Sequence, residues 1–235
     1  MVSQLQAWVR RALWDVVPRD QRDTPRELRR RQAVTIGFVL LGALVLGLSL
    51  RIEPGNRWFY AFTFGLAAVW AVGALASGRL HLGRIAFRDG HARPILTPIG
   101  IGALLAGVFV LGALLVRSIE LLEPLEDQVV SVIDYADQGS LPILIVITTV
   151  NGIAEELFFR GGAYAAITRS PVLWTTLAYA VATLATGNVM LSFAAVLLGF
   201  VCGLERRASG GILAPILTHC TWSLAMLLVL PVVFY

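Results

Sequence analysis

The chain has 235 residues, of which 57% are hydrophobic and 14% charged, with a net charge of +4 and a mean hydropathy of +0.76. Soluble domains carry about 25% charged residues, so this composition cannot clothe a water-facing surface and excludes a soluble enzyme. All nineteen basic residues are Arg; they gather beside apolar runs, without the basic groove or interleaved aromatics of a nucleic-acid binder, so no nucleic-acid partner is expected.

Leu5, Trp8, Val9, Ala12, Val16 and Val17 recur at helical spacing around Arg10 and Arg11. That pattern predicts an amphipathic helix lying on a membrane surface and ended at Pro18. Residues 19–32 hold six Arg and read as a linker in contact with anionic lipid headgroups. The first long apolar run starts near Val34, behind this charged stretch, so insertion without a cleaved leader is expected.

Seven apolar runs follow, long enough in sum for a polytopic bundle. Spans are predicted at about 34–50, 58–77, 97–116, 141–168, 171–187, 190–205 and 211–234. The fold class is therefore all-α, a membrane bundle of about seven helices behind an amphipathic interfacial helix. Residues 1–33 form one unit and 34–235 the transmembrane domain. Gly199 and Gly203 make a G-x-x-x-G step that lets a neighbouring helix come close. Cys202 and Cys220 lie in apolar runs without C-x-x-C spacing and read as small buried side chains.

Arginine bias sets the orientation. The eight Arg before Val34, then Arg79, Arg84, Arg88 and Arg93, then Arg169, Arg206 and Arg207 all fall on one side of seven spans. The other side has Arg51, Arg57 and Arg117, with an acidic loop of Glu120, Glu123, Glu126, Asp127, Asp134 and Asp137. The N-terminus is thus placed in the cytoplasm, in an integral protein of a bacterial plasma membrane. His81 and His91 sit in the Arg-rich loop and read as solvated.

The fourth span contains Asn151-Gly-Ile-Ala-Glu155-Glu156-Leu-Phe-Phe-Arg160. A carboxylate at the centre of a membrane helix costs about 2.5–3.5 kcal/mol on insertion scales. Glu156 and Arg160 are four apart, in the favourable order for an ion pair on one helix face. Glu155 points about 100° away, shares its face with Asn151, and has no counter-charge on its own helix. An unpartnered intramembrane carboxylate marks a functional site. His219 in the last span, with Ser223 one turn on, supplies an imidazole; at 1.5 Å per residue it lies about 12 Å in from the cytoplasmic end of its span, shallower than Glu155 near the middle of the fourth. Carboxylate and imidazole are the groups needed to activate water and to stabilise an oxyanion. Zinc would need three protein ligands, generally including His; one intramembrane His argues against it, and no metal or other cofactor is expected. No Ser-His-Asp set can be assembled within the spans.

Glu155-Glu156-x-x-x-Arg160, a helix pair, and Ser209-Gly-Gly-Ile-Leu-Ala-Pro-Ile-Leu-Thr-His219 together resemble the CPBP family of intramembrane proteases, which includes CAAX prenyl endopeptidases and Abi or bacteriocin-processing proteins. The resemblance covers residues 141–225, which it marks as a protease-like core, and it implies a helical bundle with a conical cavity. There Glu155 would be the general base, His219 would support the water or the attacked carbonyl, and Glu156 and Arg160 would organise the site. Two positions depart from the pattern. The F-x-x-x-H motif of the family is set against Leu184-Ala-Thr-Gly-Asn188, so Asn188 stands for a histidine. The final H-x-x-x-N becomes His219-x-x-x-Ser223. Asn188 can hydrogen-bond but cannot take up a proton at neutral pH.

The expected function is an endopeptidase acting on a membrane-embedded or lipid-modified peptide. The alternative is a catalytically impaired relative serving as a scaffold or accessory subunit of a membrane protein complex. Proton-coupled transport is disfavoured, since no inverted repeat is found. The topology is testable directly. A Cys placed at Asp134 is expected to react with an impermeant maleimide only from outside the cell, and labelling only from the cytoplasm would reverse the orientation.

Overall fold

The computed structural model describes residues 2–19, 21–49, 52, 57–87, 90–137 and 140–235. Arg51 and Arg88, both weighed for orientation, lie outside them. In chain order the helices are α1 (Val2–Leu13), α2 (Pro25–Ser49), α3 (Arg57–Ser77), α4 (Leu96–Arg117), α5 (Glu123–Asp137), α6 (Leu141–Glu156), α7 (Tyr164–Ala166), α8 (Pro171–Leu184), α9 (Val189–Ser209) and α10 (Leu213–Phe234). A π-helical stretch, Leu157–Ala163, joins α6 to α7.

Among the described residues six helices are long and apolar enough to cross a membrane, and the molecule is the polytopic helical bundle that the sequence implies. The remaining crossing, α8, has 14 residues, about 21 Å at 1.5 Å per residue. It nevertheless joins opposite ends of the bundle. Ala185, just past α8, meets Gly47 at the far end of α2, while Ile167 and Thr168 before it lie at the Arg-rich end. Leu111 and Val232 are 69% and 79% exposed, which is the expression of a lipid-facing wall rather than a wet one.

Four local features differ from the sequence reading. Helix α2 starts at Pro25, not near Val34. The reason is a capping box that was read as linker: Thr24 N and Oγ1 donate to Glu27 Oε2 at 2.8 and 2.7 Å, with Pro25 at the first helical position. Part of the acidic loop folds as α5, whose apolar side packs with Ala113 of α4 and Phe234 of α10 around Ile133. Residues 78–96 are not all loop: β1 (Ile85–Phe87) pairs antiparallel with β2 (Gly90–Ala92). Helix α1 also ends at Leu13, ahead of Pro18.

The core gathers where α3, α6, the π-helical stretch and α8 meet. Trp70 stacks at 4.8 and 5.0 Å from Phe158 and Phe159, and Phe159 lies 4.8 Å from Tyr179. Helix α10 packs against α4 and α6, and α8 against α9. At the Arg-rich end the N-terminal stretch docks onto α9: Val17 N donates to Ala208 O at 3.0 Å and Arg19 Nη1 to Arg207 O at 2.8 Å.

At the opposite end Asn188 caps α9. Its Oδ1 accepts from Leu191 N at 2.9 Å and its Nδ2 donates to Gln128 O of α5 at 2.8 Å. Asn188→Ala should therefore lower stability by about 1 kcal/mol, read from thermal unfolding in detergent. An unchanged midpoint would show that this cap does not hold the start of α9.

Candidate active site

Helix α6 carries Glu155 and Glu156 into the bundle, α8 brings Tyr179 and α10 brings His219. Glu156 and Arg160 form the ion pair that their spacing implies, Nη1 to Oε1 2.9 Å, with both side chains wholly buried. The same Oε1 lies 2.8 Å from His219 Nδ1. An ionised carboxylate can only accept, so Nδ1 carries a proton, and in the neutral ring Nε2 then presents a lone pair. That lone pair faces Glu155, with Nε2 3.9 Å from Glu155 Oε2. A separation of this size is not a direct hydrogen bond.

Glu155 has a further partner that sequence reasoning missed. Tyr179 Oη donates to its Oε2 at 2.5 Å. The Tyr179 ring is itself held between Phe159 and the Arg160 guanidinium, whose Cζ is 5.0 Å from the ring centre. The signal was present: Tyr179 and Thr183 are an aromatic and a polar residue four apart in an apolar helix, the spacing that was set against Leu184 and Asn188. Thr183 Oγ1 donates to Tyr179 O at 2.9 Å.

Asn188 is not brought to this cluster. Its position at the start of α9, beside α5, puts it at the opposite end from Arg206 and the Arg-rich end. Ser223 follows His219 by one turn, but its hydroxyl donates to His219 O at 2.9 Å and so is spent on its own helix. Asn151 lies one turn before Glu155; Nδ2 donates to Ile147 O at 3.0 Å, while Oδ1 is buried without a hydrogen-bond partner among the described residues. The sequence placed His219 shallower than Glu155. The difference closes because the segment before β1 folds against the start of α10: Ile212 N and Leu213 N donate to His81 O and Leu82 O at 2.9 and 3.1 Å. Helix α10 thus begins beneath a cover of chain.

Two glycines of α9 set the closeness of this packing, as the G-x-x-x-G step implies. A Cβ on Gly199 would stand 2.8 Å from Arg160 Nη2, and one on Gly203 3.0 Å from Val172 of α8. Glu205 of α9, a second residue missed, is 1% exposed; its Oε1 lies 2.8 Å from Thr218 Oγ1, next to His219. The rule that singled out Glu155 applies equally to Glu205, whose place at a span end beside Arg206 concealed it. Among the described residues no group of three or more His, Cys, Asp or Glu is arranged to hold a metal ion.

Chemically, the cluster has one carboxylate neutralised by Arg160, one imidazole of fixed tautomer, and one carboxylate, Glu155, 16% exposed. Residues 137–225 match the family model described as Type II CAAX prenyl endopeptidase Rce1-like. The matched stretch contains Glu155, Glu156, Arg160, Tyr179, Glu205 and His219, and it supports the CPBP resemblance carried by the motifs. No curated protein and no solved structure matches the chain.

Removing one partner of a buried ion pair leaves the other uncompensated, which costs about 3–5 kcal/mol. Arg160→Ala should therefore lower the folded yield in detergent sharply, and Glu156→Gln should lower it less, since an amide still accepts from Nδ1. An Arg160→Ala protein with the thermal midpoint of the parent would show that the pair does not hold the bundle.

Proposed function

We propose that this chain, whose residues 137–225 match a CAAX-type protease family, is an intramembrane endopeptidase in which Glu155 activates water. The observation that carries the reading is the meeting of Glu155 and His219 from α6 and α10, 3.9 Å apart, while the adjacent Glu156 is committed to Arg160. A water within about 2.8 Å of both Oε2 and Nε2 fits that separation. Both atoms accept hydrogen bonds, so such a water would turn its own lone pair outward, toward a peptide carbonyl.

Water attacks the carbonyl carbon and Glu155 takes its proton. The tetrahedral intermediate then collapses with loss of the amine, and the proton held by Glu155 goes to the leaving nitrogen. His219 orients the water, and its Nδ1–H bond to Glu156 stabilises positive charge on the ring if the proton is shared. Tyr179 fixes the Glu155 carboxylate by donating to it. No step calls for a metal. The substrate class is a membrane-embedded or lipid-modified peptide, and the orientation that fits the Arg distribution puts the Arg-rich end in the cytoplasm of a bacterium.

One observation favours the scaffold reading. The residue four past Tyr179 is Thr183, so the cluster has a single imidazole where the family pattern has a second. A scaffold subunit of a membrane complex would keep the buried pair and need no base.

Glu155→Gln keeps the shape of the side chain and removes its basicity. It should fold normally, since an amide is cheaper to bury than a charge, and cut cleavage of a lipidated C-terminal peptide by about 10²–10⁴-fold. Cleavage by the parent should persist in chelator. Undiminished cleavage by Glu155→Gln would end the mechanism; a parent that cleaves no membrane peptide, with Glu155→Gln matching it in the cell, would establish the scaffold.

A further inference from the structure

A cavity of about 800 Å³ opens at the Arg-rich end of the bundle, where the start of α2, the end of α3, α7 and the end of α9 meet. Its charged lining comprises six Arg, two carboxylates and His81. Both carboxylates are already engaged. Asp23 accepts from Arg31 Nε and Nη2 at 2.6 and 3.4 Å, and Glu27 is taken up by the cap of α2. That leaves the guanidinium groups of Arg19, Arg22, Arg30, Arg79 and Arg206 around one space with no acidic partner among the described residues.

Several of these groups are tethered by one nitrogen and keep donors in hand. Arg30 Nη2 donates to Ala76 O at 3.3 Å, Arg19 Nη1 to Arg207 O at 2.8 Å and Arg206 Nε to Arg160 O at 2.7 Å. Arg206 is 5% exposed, and its Nη1 has no hydrogen-bond partner among the described residues. A buried guanidinium donor without an acceptor is costly. Five like charges around one cavity repel one another. An anion with several acceptor oxygens relieves that repulsion, and a planar guanidinium matches a phosphate in particular.

We infer that this cavity binds a phosphate group, and that the group belongs to the headgroup of an anionic phospholipid. The position argues for lipid over a free ion. The cavity lies where spanning helices end, which is the depth of the phosphates of a bilayer. Leu28 and Ile167 give it an apolar edge, along which acyl chains can leave. Helix α1, with its apolar face and its Arg10–Arg11 pair, lies at the same end and sets that level as the membrane surface. The inference does not depend on proteolysis, and it differs from general attraction of the Arg-rich segment to membranes. Arg26 and Arg29 belong to that segment and do not line the cavity.

His81 offers a second readout. Burial, then Arg206, Arg31 and Arg79, hold its imidazole below the ordinary value of 6.5, with Asp23 opposing them. A bound anion raises it again, so binding should tighten as the pH falls toward the lowered value that His81 has in the free protein.

The test uses the full chain in a neutral detergent, titrated with short-chain phosphatidylglycerol, short-chain phosphatidylcholine or inorganic phosphate. Bound lipid is counted by native mass spectrometry, and affinity is read from the shift of the thermal midpoint. Phosphatidylglycerol is expected to bind saturably, one molecule per chain, and phosphatidylcholine at least about tenfold more weakly. Arg22→Gln/Arg79→Gln should weaken phosphatidylglycerol about tenfold or more without lowering the unliganded midpoint, since neither residue has an ion pair among the described residues. Arg26→Gln/Arg29→Gln should bind as the parent does. Equal binding of the two lipids, or equal loss in both double variants, would overturn the site. Full stabilisation by inorganic phosphate alone would overturn the lipid as its source.

Discussion

One carboxylate oxygen, Glu156 Oε1, receives a guanidinium from its own helix and an imidazole from another. In a medium that cannot hydrate charge, a carboxylate is tolerated only with its partner in place. Pairing Glu156 with Arg160 at i and i+4 makes the two a neutral unit within one short stretch of chain. The remaining acceptor capacity of Oε1 then ties α10 to α6 through His219. The same bond fixes which nitrogen of His219 carries the proton, and so turns the lone pair of Nε2 toward Glu155. Local charge neutralisation, helix–helix attachment and the tautomer are thus one constraint.

Much of the surrounding packing serves that constraint. Arg160 needs space beside α9, and Gly199 provides it: an added Cβ would stand 2.8 Å from its Nη2. The guanidinium lies over Tyr179, which restrains the ring whose hydroxyl reaches Glu155. Arg206 closes the Arg-rich side by donating to Arg160 O, which connects the buried cluster to the cavity below it. The π-helical stretch carries Phe158 and Phe159, both fully buried, against Trp70. Widened turns of this kind recur at functional sites.

The spans, the Glu156–Arg160 pair and the lack of a counter-charge for Glu155 on its own helix were legible because each depends on hydropathy or on spacing within one helix. What failed depends on other information. Helix α2 was cut short because six Arg masked Thr24 and Glu27, a local signal outweighed by composition. The contact between Tyr179 and Glu155 is set by how α8 packs on the π-helical stretch that follows α6, which no single-helix pattern encodes. Asn188 was aligned by its polarity and its distance from a Leu; the aromatic-x-x-x-polar spacing that faces Glu155 begins at Tyr179 and ends at Thr183. Glu205 was hidden by adjacent arginines, although its donor is the Thr218 hydroxyl. His219 seemed too shallow because sequence distance from a span end assumes that the end lies at the surface, and the chain at His81 and Leu82 covers the start of α10.

The account rests on the tautomer of His219. Nitrogen NMR of the full chain, labelled in its three histidines and compared with His219→Gln for assignment, reads that tautomer in a bilayer. At neutral pH the account predicts a proton on Nδ1 and a bare Nε2, with the Nδ1 signal displaced in Glu156→Gln and the Nε2 signal displaced in Glu155→Gln. A proton on Nε2 of the neutral ring, or an Nδ1 signal indifferent to Glu156, would contradict it.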